Sequence, residues 1–257
     1  MNRQHSEATA EIRAIPVRGL PDIKPGDPIA ELILAAASGN NLSFVAGDIL
    51  VVKHKIVSKA EGRIVRLDSV KPSRPALAAA RRNHNDPRVI ELALREAARL
   101  LRNRHVLITQ TQHGFVCANS GVDVSNVDGG ASAVLLPEDP DRSAARIHRK
   151  LKKLTALHIP VIISDSFGRA WRQGLCDVAI GVAGLRGTRD YRGKRDDYGY
   201  KLHATEHAVA DELAAMAGLV CGKDAGVPAC IIRGYGYERG AGSARLLVRP
   251  ADKDLFR

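Results

Sequence analysis

Short runs of Val, Ile and Leu alternate along this chain with longer segments in which apolar residues recur every three or four positions. The first kind reads as strand and the second as amphipathic helix, and their alternation favours a mixed α/β (α+β) fold over an all-α or all-β one. Runs at 12–17, 48–52, 106–111, 161–164, 178–182, 229–233 and 244–248, flanked by glycine, proline or charge, are the expected strands. One helix is expected to begin at Asp86-Pro87, a cap residue followed by proline at the first helical position, and to carry Ile90, Leu94, Ala97 and Leu101 on the face that meets the sheet. A second is expected over 203–218, with Val209, Leu213 and Met216 buried and Glu206, Asp211 and Glu212 off that stripe, and a third over 143–157.

Glycine-rich, charged stretches at 114–130, 166–174, 184–199 and 234–242 separate these elements, and such loops are where chemistry most often sits. The sequence has no internal repeat and no linker polar enough to mark a boundary. Residues 1–257 are therefore expected to form one unit, any second lobe sharing strands or loops with the first, with no separable second domain.

Charge adds a partner class. Lys and Arg outnumber Asp and Glu by 39 to 28, a net +11, so an anionic ligand or partner is expected. Much of the charge sits at Arg146, Arg149, Lys150, Lys152 and Lys153, a run that also reads as the solvated face of a helix. Aromatic residues are only 4% of the chain, too few for a single-strand-binding surface built on stacked rings. Cys117, Cys176, Cys221 and Cys230 lie far apart with no C-x-x-C pair, which encodes neither a zinc ribbon nor a dense disulfide framework; reduced, mostly buried thiols are expected. With no apolar leader core in the first sixteen residues and no stretch approaching the roughly 18 apolar residues that span a bilayer, a cytoplasmic location is expected.

Several positions carry candidate chemistry. Asp165 closes the apolar run Val161-Ile162-Ile163-Ser164 and is followed by Ser166, so its carboxylate is expected at a strand end, where α/β folds place ligand chemistry. Asp123 lies in Gly121-Val122-Asp123-Val124-Ser125-Asn126. Two carboxylates with hydroxyl and amide neighbours make a hard oxygen donor set suited to Mg²⁺ or Mn²⁺ holding phosphates, although single loop aspartates equally cap turns and helices. Ser58-Lys59-Ala60-Glu61-Gly62-Arg63 follows a strand and places Lys59 and Arg63 on one connection, as a polyphosphate grip or as a turn with surface charge. Arg169 and Arg172, beside Asp165, could hold carboxylate or phosphate oxygens in bidentate fashion.

Two further motifs carry less. His203-Ala204-Thr205-Glu206-His207 matches H-x-x-E-H, which on a helix sets two imidazoles one turn apart for zinc, so a zinc hydrolase using His203 and His207 is an alternative function. Gly218-Leu219-Val220-Cys221-Gly222-Lys223-Asp224 approximates a Walker A loop but has three residues where four are required and Asp in place of the metal-binding hydroxyl. Gly181, Gly184 and Gly187 have the wrong spacing for a dinucleotide fingerprint. Neither a P-loop nor a Rossmann fold is expected. A basic nucleic-acid-binding module is the alternative from a non-enzyme class, though no recognisable nucleic-acid motif accompanies the charge.

In order and spacing, a set of segments covering nearly the whole chain resembles the coenzyme F-420 gamma-glutamyl ligase family. They are Pro16-Val17-Arg18-Gly19-Leu20-Pro21, Gly47-Asp48-Ile49-Leu50-Val51-Val52, the Ser58 to Arg63 and Asn119 to Val127 stretches, Ile162-Ile163-Ser164-Asp165-Ser166-Phe167-Gly168-Arg169, Asp196-Asp197-Tyr198-Gly199, Ala210-Asp211-Glu212-Leu213-Ala214 and the Gly226 to Gly234 stretch. The resemblance implies a two-lobed subunit of that family's type in a homodimer. It also implies GTP as co-substrate, a divalent cation (Mg²⁺ or Mn²⁺), room for a monovalent cation, and addition of L-glutamate to the terminal carboxylate of the deazaflavin coenzyme F-420 precursor through an acyl phosphate. Neither nucleic acid nor membrane is among the implied partners.

Carried over by position, Asp123, Asp165 and Ser166 look like metal ligands, with Asp123, Asp165 and Lys59 carrying the catalysis. Leu20, Pro21, Asp22, Ile23, Lys59, Asn126, Cys221, Gly222, Lys223, Asp224, Ala225, Gly226 and Val227 look like guanine-nucleotide contacts. Arg169 and Arg172 are expected to hold the anionic substrate. The sequence departs from some members at Lys223, where they have a glutamate metal ligand, and at His54 and Lys55, where they have small hydroxyl residues.

Overall fold

The computed structural model describes residues 11–254, so most of the amino-terminal segment read above as lacking a leader lies outside the described residues. A first stretch holds β1 (Arg13–Val17), α1 (Ile29–Gly39), β2 (Ile49–Lys53) and α2 (His54–Ala60). A middle stretch holds β3 (Ile64–Arg66), α3 (Arg74–Asn83), α4 (Pro87–Glu96), β4 (Ala97–Arg104), β5 (Val106–Thr111), β6 (Val116–Ala118) and β7 (Ser132–Val134). The last stretch holds α5 (Pro140–Thr155), β8 (Val161–Arg169), β9 (Arg172–Ala183), β10 (Arg189–Asp190), β11 (Glu206–His207), α6 (Val209–Val220) and β12 (Ala229–Arg233). The fold is mixed α/β, as the alternation of apolar runs predicts.

A five-stranded sheet in the order β1-β12-β2-β8-β9 forms the larger core. Only β2 and β8 run parallel; the other neighbours are antiparallel. The central strands are apolar at every position from Ile49 to Val52 and from Val161 to Ile163 because both faces are covered, and all seven side chains are buried. A smaller apolar cluster, including Leu67, Val70, Ile90, Leu107 and Leu135, comes entirely from the middle stretch.

Register determines where the strand ends meet. Val17, Ala229, Val52 and Ile163 lie side by side across the sheet. The segment after β1, the start of α2 after β2, the continuation of β8 and the loop before β12 therefore all emerge at one edge. Between Ile163↔Gly181 and Ser164↔Ala179 the register slips, leaving Ile180 as an extra residue on β9. This bulge falls immediately before Asp165, and bulges commonly re-aim side chains beside functional sites.

Four sequence expectations are corrected. α4 stops at Glu96, and Ala97 and Leu101 belong to β4, which pairs with β5 in an antiparallel hairpin. The helix expected over 203–218 starts at Val209, because Glu206 and His207 pair with Asp190 and Arg189 as strand. Asp211 in that helix is partly buried, and its carboxylate accepts the Ala179 N–H at 2.9 Å. Residues 166–174 are the end of a long β8–β9 hairpin and not a loop. Residues 244–248 form no strand: Ala244–Leu247 is a 3-10 turn, held by Asp141, which accepts from the Ala244 N–H at 2.8 Å and the Ser243 hydroxyl at 2.6 Å. The four cysteines are free, and all but Cys176 are buried. Among the described residues no helix is long and apolar enough to cross a membrane.

Candidate functional site

A cleft of about 430 Å³ opens at the sheet edge where the four segments meet. Leu20 to Asp22 enter it after β1, Lys53 to Ile56 and Lys59 from β2 and α2, Asp165 and Ser166 from β8, and Cys221 to Asp224 with Gly226 to Pro228 from the loop between α6 and β12. The middle stretch closes it with Asp123 and Asn126, carried on the segment whose Val122 and Val124 pack into the smaller core. Asn126 and Asp128 adopt positive φ, 57° and 42°, in a tight turn that Asn and Asp tolerate better than other side chains.

Of the four lysines that line the cleft, Lys53, Lys55, Lys59 and Lys223, the first three each meet a carboxylate. Lys59 Nζ donates to Asp22 Oδ1 at 2.8 Å, and Lys53 pairs with the buried Asp177. Lys55 Nζ lies 2.9 Å from Asp123 Oδ2 and donates to Ser125 Oγ at 2.7 Å and to the Ser125 carbonyl at 2.9 Å. Burial raises the Asp123 carboxyl, but Lys55 and the Ser125 N–H outweigh it and hold the group below its ordinary value. The Asp22 carboxyl is likewise lowered by its hydrogen bond to Lys59, although with Asp22 mostly exposed this pair adds little stability. Burial, with Asp165 nearby, pushes the Cys117 thiol up to about 12.

His54 is buried at the start of α2. Its Nδ1 is 3.3 Å from Ser58 Oγ, while Nε2 lies 3.3 Å from Asp165 Oδ1 but out of line, leaving that nitrogen without a hydrogen bond. A buried ring nitrogen left without a hydrogen bond beside a carboxylate is uncommon in a folded protein. Among the described residues no cluster of three or more His, Cys, Asp or Glu side chains is preassembled for a metal ion. Mg²⁺ is commonly held by one or two carboxylates together with substrate phosphates, and Asp123, Asp165 and the Ser166 hydroxyl suit that mode.

Most of the sequence-predicted residues meet in this one cleft. Ile23 is buried behind it, and Ala225 is on its loop without lining it. Arg169 and Arg172 stand outside it at the exposed hairpin end, where Arg169 donates to the Gln173 carbonyl at 2.7 Å. The Lys59–Arg63 pair is split: Arg63 turns away to Glu96 at 2.6 Å and the Leu136 carbonyl at 3.0 Å. It borders a second, larger cavity of about 600 Å³ on the other side of α2. There Arg146 pairs with Glu61 and Lys150 with Glu31; the smaller cleft is the better candidate site because it is the one that gathers Lys59, Asp123, Asn126, Asp165 and Ser166. The same pairs take up part of the basic run on α5. His203 and His207 do not share a helix, which removes the geometric basis of the zinc motif.

Lys53 and Asp177 were not singled out in the sequence. Lys53 reads as the polar end of an apolar strand, and Asp177 as the charged flank of the run 178–182; only the strand register shows that their side chains meet on one face of the sheet.

Residues 19–234 match the family model described as F420-0:gamma-glutamyl ligase. The chain is 48% identical over 250 residues to the coenzyme F420:L-glutamate ligase of Methanothermobacter thermautotrophicus, an alignment covering 96% of this chain and 99% of that relative. Identity to the coenzyme F420:L-glutamate ligase of Methanocaldococcus jannaschii is 44% over 213 residues, 82% and 85% of the two chains. To that of Methanopyrus kandleri it is 42% over 255 residues, 97% and 98% of the two chains.

Proposed function

The chain belongs to the F420-0:gamma-glutamyl ligase family, and we propose that it uses GTP to join L-glutamate through an amide bond to the terminal carboxylate of the coenzyme F420 precursor. The observation that supports this is the convergence of Lys53, Lys55 and Lys59 with Asp123, Asp165 and Ser166 in one cleft. Three cations suit a polyphosphate, and the two carboxylates with a hydroxyl suit the divalent cation that travels with it.

A carboxylate is a poor electrophile, so amide formation in water needs activation. Transfer of the γ-phosphoryl group from GTP to a carboxylate oxygen breaks the β–γ bond, releases GDP and leaves an acyl phosphate. The glutamate amine then attacks the acyl carbon, the C–N bond forms, inorganic phosphate leaves and the amine gives up a proton. Lys55 and Lys59 draw charge off the phosphates, while the backbone around Leu20 to Asp22 and Cys221 to Val227 borders the nucleotide. Asp123, Asp165 and Ser166 would hold Mg²⁺ or Mn²⁺, which supplies neutralisation of the charge that develops in phosphoryl transfer. A monovalent cation belongs to the same reading. In this reading Arg169 and Arg172, outside the cleft on the exposed hairpin end, hold a distal anionic part of the acceptor.

A homodimer also belongs to this reading; light scattering on the purified chain tests it, and a monomer at working concentration contradicts it. The reaction is tested by mixing the protein with GTP, L-glutamate, Mg²⁺ and unglutamylated coenzyme. A mass gain of one glutamyl unit with matching GDP supports the proposal, and glutamylation that runs equally well without GTP overturns the nucleotide assignment.

A further inference from the structure

Asp177 is a buried carboxylate at the back of the cleft, and it does not line the cleft. It sits on β9 directly opposite Ser166 on β8, so the two side chains share one face of the sheet. Lys53, paired in register with Ser164 two residues earlier on β8, shares that face. The Ser166 hydroxyl donates to Asp177 Oδ1 at 2.6 Å, and Lys53 engages Oδ2. Both partners do line the cleft.

The packing of α6 leaves this carboxylate no slack. A Cβ on Gly218 would lie 2.9 Å from Asp177 Oδ2 and 3.0 Å from its carboxyl carbon, so the helix approaches closely only because residue 218 has no side chain. A carboxylate taken out of water is costly unless it is paired and hydrogen-bonded, and here one group holds two cleft residues at once.

We propose that Asp177 is the positioning residue of the cleft: it turns the Ser166 hydroxyl hydrogen inward, so that the oxygen lone pairs face a cation, and it fixes the Lys53 ammonium at the cleft wall. The inference rests on the cation reading above and adds a residue that touches neither substrate nor cation. Loss of a group that orients a metal ligand typically lowers metal affinity by about 10- to 100-fold.

Mn²⁺ binding to the protein–GDP complex, followed by electron paramagnetic resonance without turnover, provides the test. Asp177→Asn is expected to weaken Mn²⁺ by about 10-fold or more. In a Ser166→Ala background the same change is expected to weaken it no further, a non-additivity that general destabilisation would not produce. If Asp165→Asn weakens Mn²⁺ but Asp177→Asn leaves it unchanged, the positioning role is overturned while the cation reading stands. If both leave it unchanged, the cation reading itself fails. Should Asp177→Asn not fold, Gly218→Ala displaces the carboxylate while keeping its charge; a folded Gly218→Ala protein with unchanged Mn²⁺ affinity overturns the inference equally.

Discussion

Lys55 Nζ stands 2.9 Å from Asp123 Oδ2, so the carboxylate assigned to a divalent cation already carries a tethered one. On the proposed function, an ion entering at Asp123 competes with the ammonium and frees it for a phosphate. Lys55→Met is therefore expected to tighten Mn²⁺ binding in the absence of nucleotide and to weaken GDP binding by about 10-fold, the scale of one charge-assisted hydrogen bond. Isothermal titration calorimetry reads both, and a variant with unchanged affinity for both ligands contradicts the exchange.

Gly121, two residues before Asp123, holds φ at +73°, and an added Cβ would lie 2.7 Å from the Leu136 side chain in the core. Left-handed strain and overpacking act together there. Gly121→Ala should destabilise the protein by about 2 kcal/mol or more in urea unfolding, whereas alanine at exposed Gly193, where nothing lies within 4 Å, should lose only the strain of its positive φ.

Asp86 caps α4, accepting from the Arg88 N–H at 2.8 Å, and its hydrogen bonds to Arg88 hold its carboxyl below the ordinary 3.8. Because the folded value is the lower one, the contribution is complete above pH 3.8 and is lost as pH falls through the folded value. Asp86→Ala should cost about 1 kcal/mol at neutral pH, and the gap to wild type should shrink as pH is taken below the ordinary 3.8. Urea midpoints at the two pH values check the sign.

Acidic and apolar positions were legible in the sequence where local chemistry decides structure. Ala229–Arg233 is a strand with the expected bounds, and Asp86-Pro87 starts a helix as its cap and proline dictate. Tertiary contacts decide the rest. The segment from Ala97 carries apolar residues that fit either period, and the available edge of β5 makes it strand. Residues 244–247 would pass for strand, but Asp141 from α5 gathers their backbone into a turn. Of the site, Asp123, Asp165 and Lys59 stand out as candidates from their neighbours, but a lone aspartate equally caps a turn or helix, so their roles, and Asn126 altogether, came from the resemblance. Asp177 and Lys53 could not be found in either way, because their meeting depends on which strands pair.

On the proposed function, the cleft holding Asp123 and Asp165 drives glutamate ligation with GTP. The most direct measurement compares wild type with Asp165→Asn for GTP-dependent glutamylation of the unglutamylated coenzyme at saturating Mg²⁺, with folding verified by circular dichroism. Wild type should add glutamate with one GDP per amide bond, and the variant should lose about 100-fold or more in turnover, on the scale seen when a group stabilising transition-state charge is removed. Near-wild-type turnover by folded Asp165→Asn would contradict the account.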